Sequence, residues 1–408
     1  MSDNIPFEIQ VEIMKRLPVK SLIQFRSVSK AWKSLIDSSD FIARYSGQQH
    51  LLVSYNDLGS FEQKYVSVVE DDTFPQHKVS LITPLLVNWL EYYDTIGCSH
   101  GLLCLYNDYL QGRDGPIPGI GMAVLWNLSI RKAVAIVVPN VANGMIYTTV
   151  LGFGVCRGTS DPKLVKITQI NGRSDMESID CIPWQVEVFT LSTRAWRNPY
   201  SNNLPRKSIE FVDSQVVVDG FHYWLAIDNR TPMDGEYKLI ISFDMTSEEF
   251  REINLPDSLA QSFMCSLSIS KLRESLVVLE QGLVIGSPIV VWMMEDGVPK
   301  SFTKLFNVNV NTLGLDDAIV RGFRKCGEPV FEISEDLLGI CKLVVYGPYS
   351  NHIDNLGIDG IDYSSYVYPY METLHLLDHP NLTVYNEMKT IKFEDDLFQE
   401  LNLSRLLI

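Results

Sequence analysis

Few cysteines, no surplus of positive charge and no long apolar run characterise this 408-residue chain. Its seven cysteines (Cys98, Cys104, Cys156, Cys181, Cys265, Cys326 and Cys341) lie scattered through apolar runs. An odd count without tight spacing excludes a disulfide-stapled scaffold and points to reduced thiols of the cytosol or nucleus. The 34 Lys and Arg are outnumbered by 50 Asp and Glu, for a net charge of −16. Binding to a phosphate backbone needs clustered cations, so nucleic acid is not an expected partner. The longest apolar run, Leu283–Met294, contains Gly286 and Pro288 and falls short of the roughly 20 residues that span a bilayer. The opening MSDNIPFEIQ lacks the basic start and apolar core of a secretory signal, so neither membrane nor secretory route is expected. The sequons at Asn127, Asn229, Asn381 and Asn402 are accordingly expected to stay unmodified.

Catalytic and ligand-binding patterns are equally scarce. Gly119-x-Gly121 and Gly152-x-Gly154 lack the third glycine that opens a phosphate-binding helix, and no G-x-S-x-G nucleophile elbow occurs. Cys98-Ser99-His100 with Cys104 has no second Cys/His pair to complete a tetrahedral site, and Pro380 interrupts any helical pairing of His375 with His379. Asp354, Asp359 and Asp362 do not have calcium-loop spacing. No cofactor and no catalytic residue is expected.

What is present begins at Ile5. Ile5, Ile9, Ile13 and Leu17 recur four apart, one face of a helix. Pro6 suits the first turn, Lys15 and Arg16 suit the last, and Pro18 ends the helix. A second pattern carries Leu22, Phe25 and Val28, and a third Trp32, Leu35 and Ile36. Helices this short depend on packing against something else. The ordered run IPFE, then Glu12-Ile13, RLPVKSL from Arg16 and FRSVSKAW from Phe25 resembles an F-box, as found in plant F-box proteins with an F-box-associated domain. Ile5 stands in place of the usual leucine, and Ser29 where cysteine is frequent.

After about residue 50, short Val/Ile/Leu/aromatic runs alternate with Gly, Asp, Asn and Pro, the texture of many strands and tight turns. The runs fall into groups. One joins 149–156, 163–170, 186–191 and Trp196-Arg197; a second joins 214–218, 221–227, 239–245 and 250–255. A third joins 263–270, 276–280, 288–294 and 301–308, and 123–137 resembles an outer pair of the same unit. Four-strand units recurring about every fifty residues predict a β-propeller with kelch-like spacing, here of about six blades. The first is expected near Leu51–Val69, the last near Ala318–Leu377, with a strand from one terminus closing the ring. A β-sandwich is the rival architecture. The stretches GLLCLYN (101–107), LWNLSIRKA (125–133), FTLSTRAWR (189–197) and SFDMTSEEFREINLP (242–256) are similar to the F-box-associated domain. Leu128 replaces the proline of its habitual Asn-Pro-Ser.

The expected organisation is mainly β with a small α module: an F-box over 1–45, a propeller-like domain over 46–392, and a tail over 393–408 that forms a short helix. The resemblance implies a substrate-recognition subunit of a Skp–cullin–F-box ubiquitin ligase, not itself an enzyme, docking on a Skp-type adaptor and binding a protein target. Expected adaptor contacts are Ile5, Pro6, Ile9, Ile13, Leu17, Pro18, Val19, Leu22 and Val28, with Trp32 beneath the bundle. Asn107–Gly121, Asp228–Glu236 and Gly347–Ser365 read as recognition loops. Within and beside the last, Tyr349, Asp354, Asp359, Tyr363 and Tyr366 are candidate target contacts, since tyrosine gives contact area at small entropic cost. Two alternatives are an F-box regulator acting without ubiquitin transfer, and a propeller lectin or enzyme with a helical cap.

Overall fold

The computed structural model describes residues 5–385 apart from 91–92, 109, 113–114, 118–119, 140–146, 171–183, 202, 207, 229–236, 285, 310–317, 335–338, 349, 351 and 380–382. The chain opens with four short helices, α1 (Phe7–Met14), α2 (Val19–Phe25), α3 (Lys30–Ile36) and α4 (Ser39–Arg44). The fourth was not expected from the apolar pattern; Ser38 caps it, its hydroxyl accepting from the Phe41 amide at 3.3 Å. The expected helix over 393–408 lies outside the described residues.

Six sheets then follow around an axis. The first contains β1 (Gln49–Asn56), β2 (Gln63–Val69) and β3 (Lys78–Leu81). The second contains β4 (Asp94–Ser99), β5 (Leu102–Asn107), β8 (Ile120–Asn127) and β9 (Lys132–Pro139), with a small hairpin of β6 (Leu110–Gly112) and β7 (Gly115–Ile117) between β5 and β8. The third runs β10 (Tyr147–Val155), β11 (Pro162–Ile170), β12 (Gln185–Thr190), β13 (Ala195–Arg197). The fourth runs β14 (Ile209–Val218), β15 (Phe221–Asp228), β16 (Tyr237–Asp244), β17 (Phe250–Asn254). The fifth runs β18 (Cys265–Leu272), β19 (Ser275–Gly282), β20 (Ile289–Glu295), β21 (Ser301–Val308). The sixth runs β22 (Ala318–Phe323), β23 (Pro329–Ser334), β24 (Ile340–Gly347), β25 (His352–Ile361). The chain then returns to the first sheet: β26 (Tyr366–Met371) pairs antiparallel with β1, Gln49 opposite Met371. A last strand, β27 (Thr383–Tyr385), adds parallel to β9. The fold is therefore a six-bladed propeller whose ring is closed by a strand from the C-terminal part of the chain.

Packing explains the closure. A four-stranded sheet has two apolar faces and cannot cover either alone. Each neighbouring pair of blades shares one core. Trp126 and Tyr65 join blades one and two, their rings 5.1 Å apart. Phe153 and Leu125 join two and three, Trp224 and Val165 three and four, Ile240 and Leu276 four and five, Val291 and Phe331 five and six. Val330 with Leu51 closes six onto one.

Two buried polar devices are built into these seams. Glu248, fully buried in the turn between β16 and β17, receives Lys163 Nζ at 2.8 Å and Arg197 at 2.5 and 2.7 Å, tying blade three to blade four. Burial by itself raises its carboxyl pKa, but the hydrogen bonds from Arg197 and Lys163 outweigh that and hold it below the usual range. Glu248→Gln keeps the shape and leaves two cations unbalanced, so chemical denaturation is expected to register a loss of about 2–3 kcal/mol. His222 lies at the same seam, its Nε2–H donating to Gln215 Oε1 at 3.0 Å while Nδ1 accepts from the Phe153 amide at 3.1 Å. Burial pushes its pKa down to about 4. The unfolded chain takes up that proton first, near pH 6.5. The contribution of His222 is thus complete above about 6.5 and lost as pH falls toward 4. Unfolding titrations are expected to show this decline, flattened in His222→Gln.

Candidate functional site

The helical module has apolar side chains on two sides, which is the signature of an element covered twice. Its inner side is settled within the chain. Met14, Val19, Leu22, Ile36, Phe41, Ile42 and Tyr45 pack with Leu374 and Leu377, from the segment just after β26. The Val19 amide donates to Glu372 Oε2 at 3.4 Å, and Tyr45 Oη–H donates to the Leu17 carbonyl at 2.6 Å. That C-terminal segment is itself anchored. Asn127, fully buried, donates Nδ2–H to the Thr373 and His375 carbonyls at 3.2 and 2.7 Å and accepts from Ser129 and Ile130 through Oδ1. Lys132 Nζ donates to the Leu377 and His379 carbonyls at 3.0 and 2.6 Å. The turn where Leu128 replaces a proline is thus fixed by Asn127, and Leu128 itself is buried. The module is clasped to the ring through the far end of its own chain.

Within the module, Arg26 grips Asp37 with two bonds at 2.6 and 2.9 Å, and Trp32 Nε1–H donates to Gln10 Oε1 at 3.1 Å with its ring 5.2 Å from Phe25. Trp32 is half-buried against the bundle. Ser29 caps α3, accepting from the Trp32 amide at 3.1 Å. These contacts leave the other side bare. Ile5, Ile9, Ile13 and Val28 are 43%, 51%, 48% and 63% exposed, and Pro6 and Pro18 are exposed beside them. Phe7 is also 53% exposed, but it stands four and seven residues before Val11 and Met14, on the helix side that turns toward the inner core rather than on the Ile9–Ile13 side. Leu17 is half-buried. Val19 and Leu22 are buried in the chain's own core, so the exposed apolar ridge is narrower than the apolar pattern suggested.

The blades place long connections away from this module. β26 ends and β1 begins beside the helices, and strands within each blade alternate in direction. The connections after β9, β11, β13, β15, β17, β19, β21 and β23 therefore leave from the opposite rim, here called the loop face. Residues 107–121 carry the β6–β7 hairpin there, whereas 229–236 lie outside the described residues.

The stretch 347–365 is not a loop. Most of it is β25, the outermost strand of blade six, in register with β24 from Gly347–His352 to Ile340–Ile361. Asp354 and Asp359 are exposed along it, and Lys78 Nζ of blade one donates to the Leu356 carbonyl there. Tyr363 is 61% exposed in the following turn, its amide bonded to Glu332. Tyr366 opens β26 at the axis, and Tyr349 lies outside the described residues. The four described candidates, Asp354, Asp359, Tyr363 and Tyr366, are not brought together in one place.

Metal chemistry finds little support. Cys98 packs toward the seam of blades one and two and Cys104 toward that of two and three, on opposite faces of one sheet. Burial pushes the Cys98 thiol up to about 12. Glu332, Cys341 and Asp362 have ligand atoms within 4.8 Å of one another. Glu332, however, already accepts two bonds from Arg321 at 3.0 and 2.9 Å and the amides of Tyr363 and Ser365, which uses its lone pairs.

Comparison with known proteins accords with this architecture. Residues 72–337 match the F-box associated beta propeller domain and residues 2–44 the F-box domain. Among Arabidopsis thaliana proteins, the F-box/kelch-repeat protein At3g23880 is 24% identical, over 78% of this chain and 84% of its own. The F-box protein At5g10340 is 26% identical, over 91% and 81%. Solved structures match more distantly: a putative 6-phosphogluconolactonase from Bacteroides fragilis (8% identity, 79% of this chain and 98% of that one, TM-score 0.31) and the SapL1 lectin with alpha methyl fucoside (6%, 77% and 96%, 0.33). Likenesses of that size carry no functional argument. With its helical module, its six blades and both domain matches in sequence order, the chain belongs to the F-box proteins that carry an F-box-associated β-propeller domain.

Proposed function

We propose that this protein is the substrate-recognition subunit of a Skp–cullin–F-box ubiquitin ligase, acting in the cytosol or nucleus and performing no catalysis itself. The observation that carries the reading is the exposed row of Ile5, Ile9 and Ile13, with Val28 and Phe7 exposed as well, on a module whose other large apolar side chains are buried or half-buried. An apolar centre with a polar rim is what a stable protein contact requires, and a Skp-type adaptor is the partner that F-box membership supports. The propeller then presents its loop face on the side opposite the helical module. Tethering a target there raises its effective concentration near the ubiquitin-charged enzyme, so transfer becomes nearly intramolecular.

Affinity purification of the full chain with and without a proteasome inhibitor tests this. Adaptor and cullin are expected in both samples, with further proteins accumulating only under inhibition. Bound partners whose abundance ignores the inhibitor would instead indicate a regulator that works without ubiquitin transfer, and absence of adaptor would refute the assignment.

A further inference from the structure

At the loop-face end of the axis the inner strands β4, β14, β18, β22 and β26 surround a cavity of ≈ 320 Å³. Asp94 and Asp213 line it, together with Tyr366 and Tyr368, whose rings stack 6.5 Å apart at 7°. The four side chains line the same opening, with Asp213 near Asp94 and both tyrosines, and with Arg321 also near Tyr366. Neither Asp94 nor Asp213 has a cationic partner among the described residues. The cations that line the cavity are engaged elsewhere. Arg321 is held by Glu332 through Nε and Nη2, and Lys271 pairs with Glu274 at 3.0 Å toward the module face. Two carboxylates and two aromatic rings around one opening favour a positive charge, by Coulomb attraction and by the ring quadrupole.

Beside this mouth lies an exposed apolar patch. Phe263 and Met264 lead into β18 and are 56% and 73% exposed; Leu283 and Val284 leave β19 and are 64% and 70% exposed. The Leu283 amide donates to the Met264 carbonyl at 3.1 Å, so Met264 and Leu283 sit across from each other just past the end of the β18–β19 ladder, two residues from Ser266 in the cavity wall, with Phe263 and Val284 next along the two chains. Apolar side chains grouped this way on a rim mark a contact surface rather than scattered exposure. In a chain of net charge −16, charge complementarity commits the occupant to a basic one.

We infer that the loop face captures an extended peptide segment of the target in which a lysine or arginine enters the Asp94/Asp213/Tyr366/Tyr368 mouth while adjacent apolar residues cover Phe263, Met264, Leu283 and Val284. This rests on the proposed recognition role and names the class of target.

The test uses the full chain bound to its adaptor, panned against a phage-displayed random-peptide library. Enriched peptides are expected to combine Lys or Arg with Leu, Ile or Phe and to weaken with added salt. Against Asp94→Asn/Asp213→Asn they are expected to bind at least about tenfold more weakly, the effect of a close charge pair. Phe263→Ser/Leu283→Ser is expected to weaken them while leaving the salt dependence intact. Both variants change exposed residues, and unchanged melting and adaptor capture establish that they fold. Failure to enrich, enrichment without bias toward basic residues, or equal binding by either variant would overturn the inference. Loss of adaptor capture by the unsubstituted chain would instead refute the recognition role itself, so the two failures are separable.

Discussion

A chain carrying Ile9→Asp and Ile13→Asp is expected to lose capture by a Skp-type adaptor while unfolding within about 1 kcal/mol of the unsubstituted chain. In the free protein both side chains stand half in water and contribute nothing to the module's inner core. Their replacement by carboxylates therefore costs only helix propensity, plus a small dipole penalty for Asp at position 13 near the end of α1. In the proposed complex the same positions are expected at the apolar centre of the interface. Burying two charges there without partners costs several kcal/mol, a loss of roughly a thousandfold or more in affinity. Pull-down together with a denaturation curve measures both halves. Retained capture with a normal curve would mean that the adaptor docks elsewhere.

Leu22→Asp is expected to act on stability first. Leu22 is fully buried against Ile36, Phe41 and Leu374, so the carboxylate has neither water nor a cation. The loss is expected to reach about 4 kcal/mol or more and to fall on the helices and the C-terminal segment that clasps them. Hydrogen exchange is expected to show the module and residues 372–377 opening while the blade seams stay protected. Adaptor capture falls as well, but as a consequence of unfolding. Equal stability of Leu22→Asp and Ile9→Asp would contradict the division of the module into an inner and an outer face.

Sequence periodicity placed these helices but not their orientation. Ile9 and Leu22 are equally apolar, and the spacing that puts each on a face is silent about what covers that face. The cover for Leu22 comes from Leu374 and Leu377 at the other end of the chain, beyond any local pattern. The blades were more legible. Their third and fourth strands meet across tight turns that set Phe189 opposite Trp196 and Phe243 opposite Phe250, and aromatic pairs at fixed separation survive as a repeat. β25 was not legible. HIDNLGIDGI buries only Leu356, Ile358 and Gly360 and half-buries Ile353 and Ile361, and its outer residues are the Asp and Asn of a loop. Its place depends on backbone pairing with β24, to which side-chain chemistry adds little. The axial mouth was hidden for a related reason: Asp94, Asp213 and Tyr366 come from three separate blades, adjacent only once the ring has closed.

Hydroxyl-radical footprinting of the full chain, alone and with a Skp-type adaptor, tests the central claim most directly. Ile5, Ile9, Ile13 and Val28 are expected to lose reactivity on complex formation, while Phe263, Met264, Leu283 and Val284 on the loop face remain reactive. Protection of the loop face with an unchanged helical ridge would contradict the account.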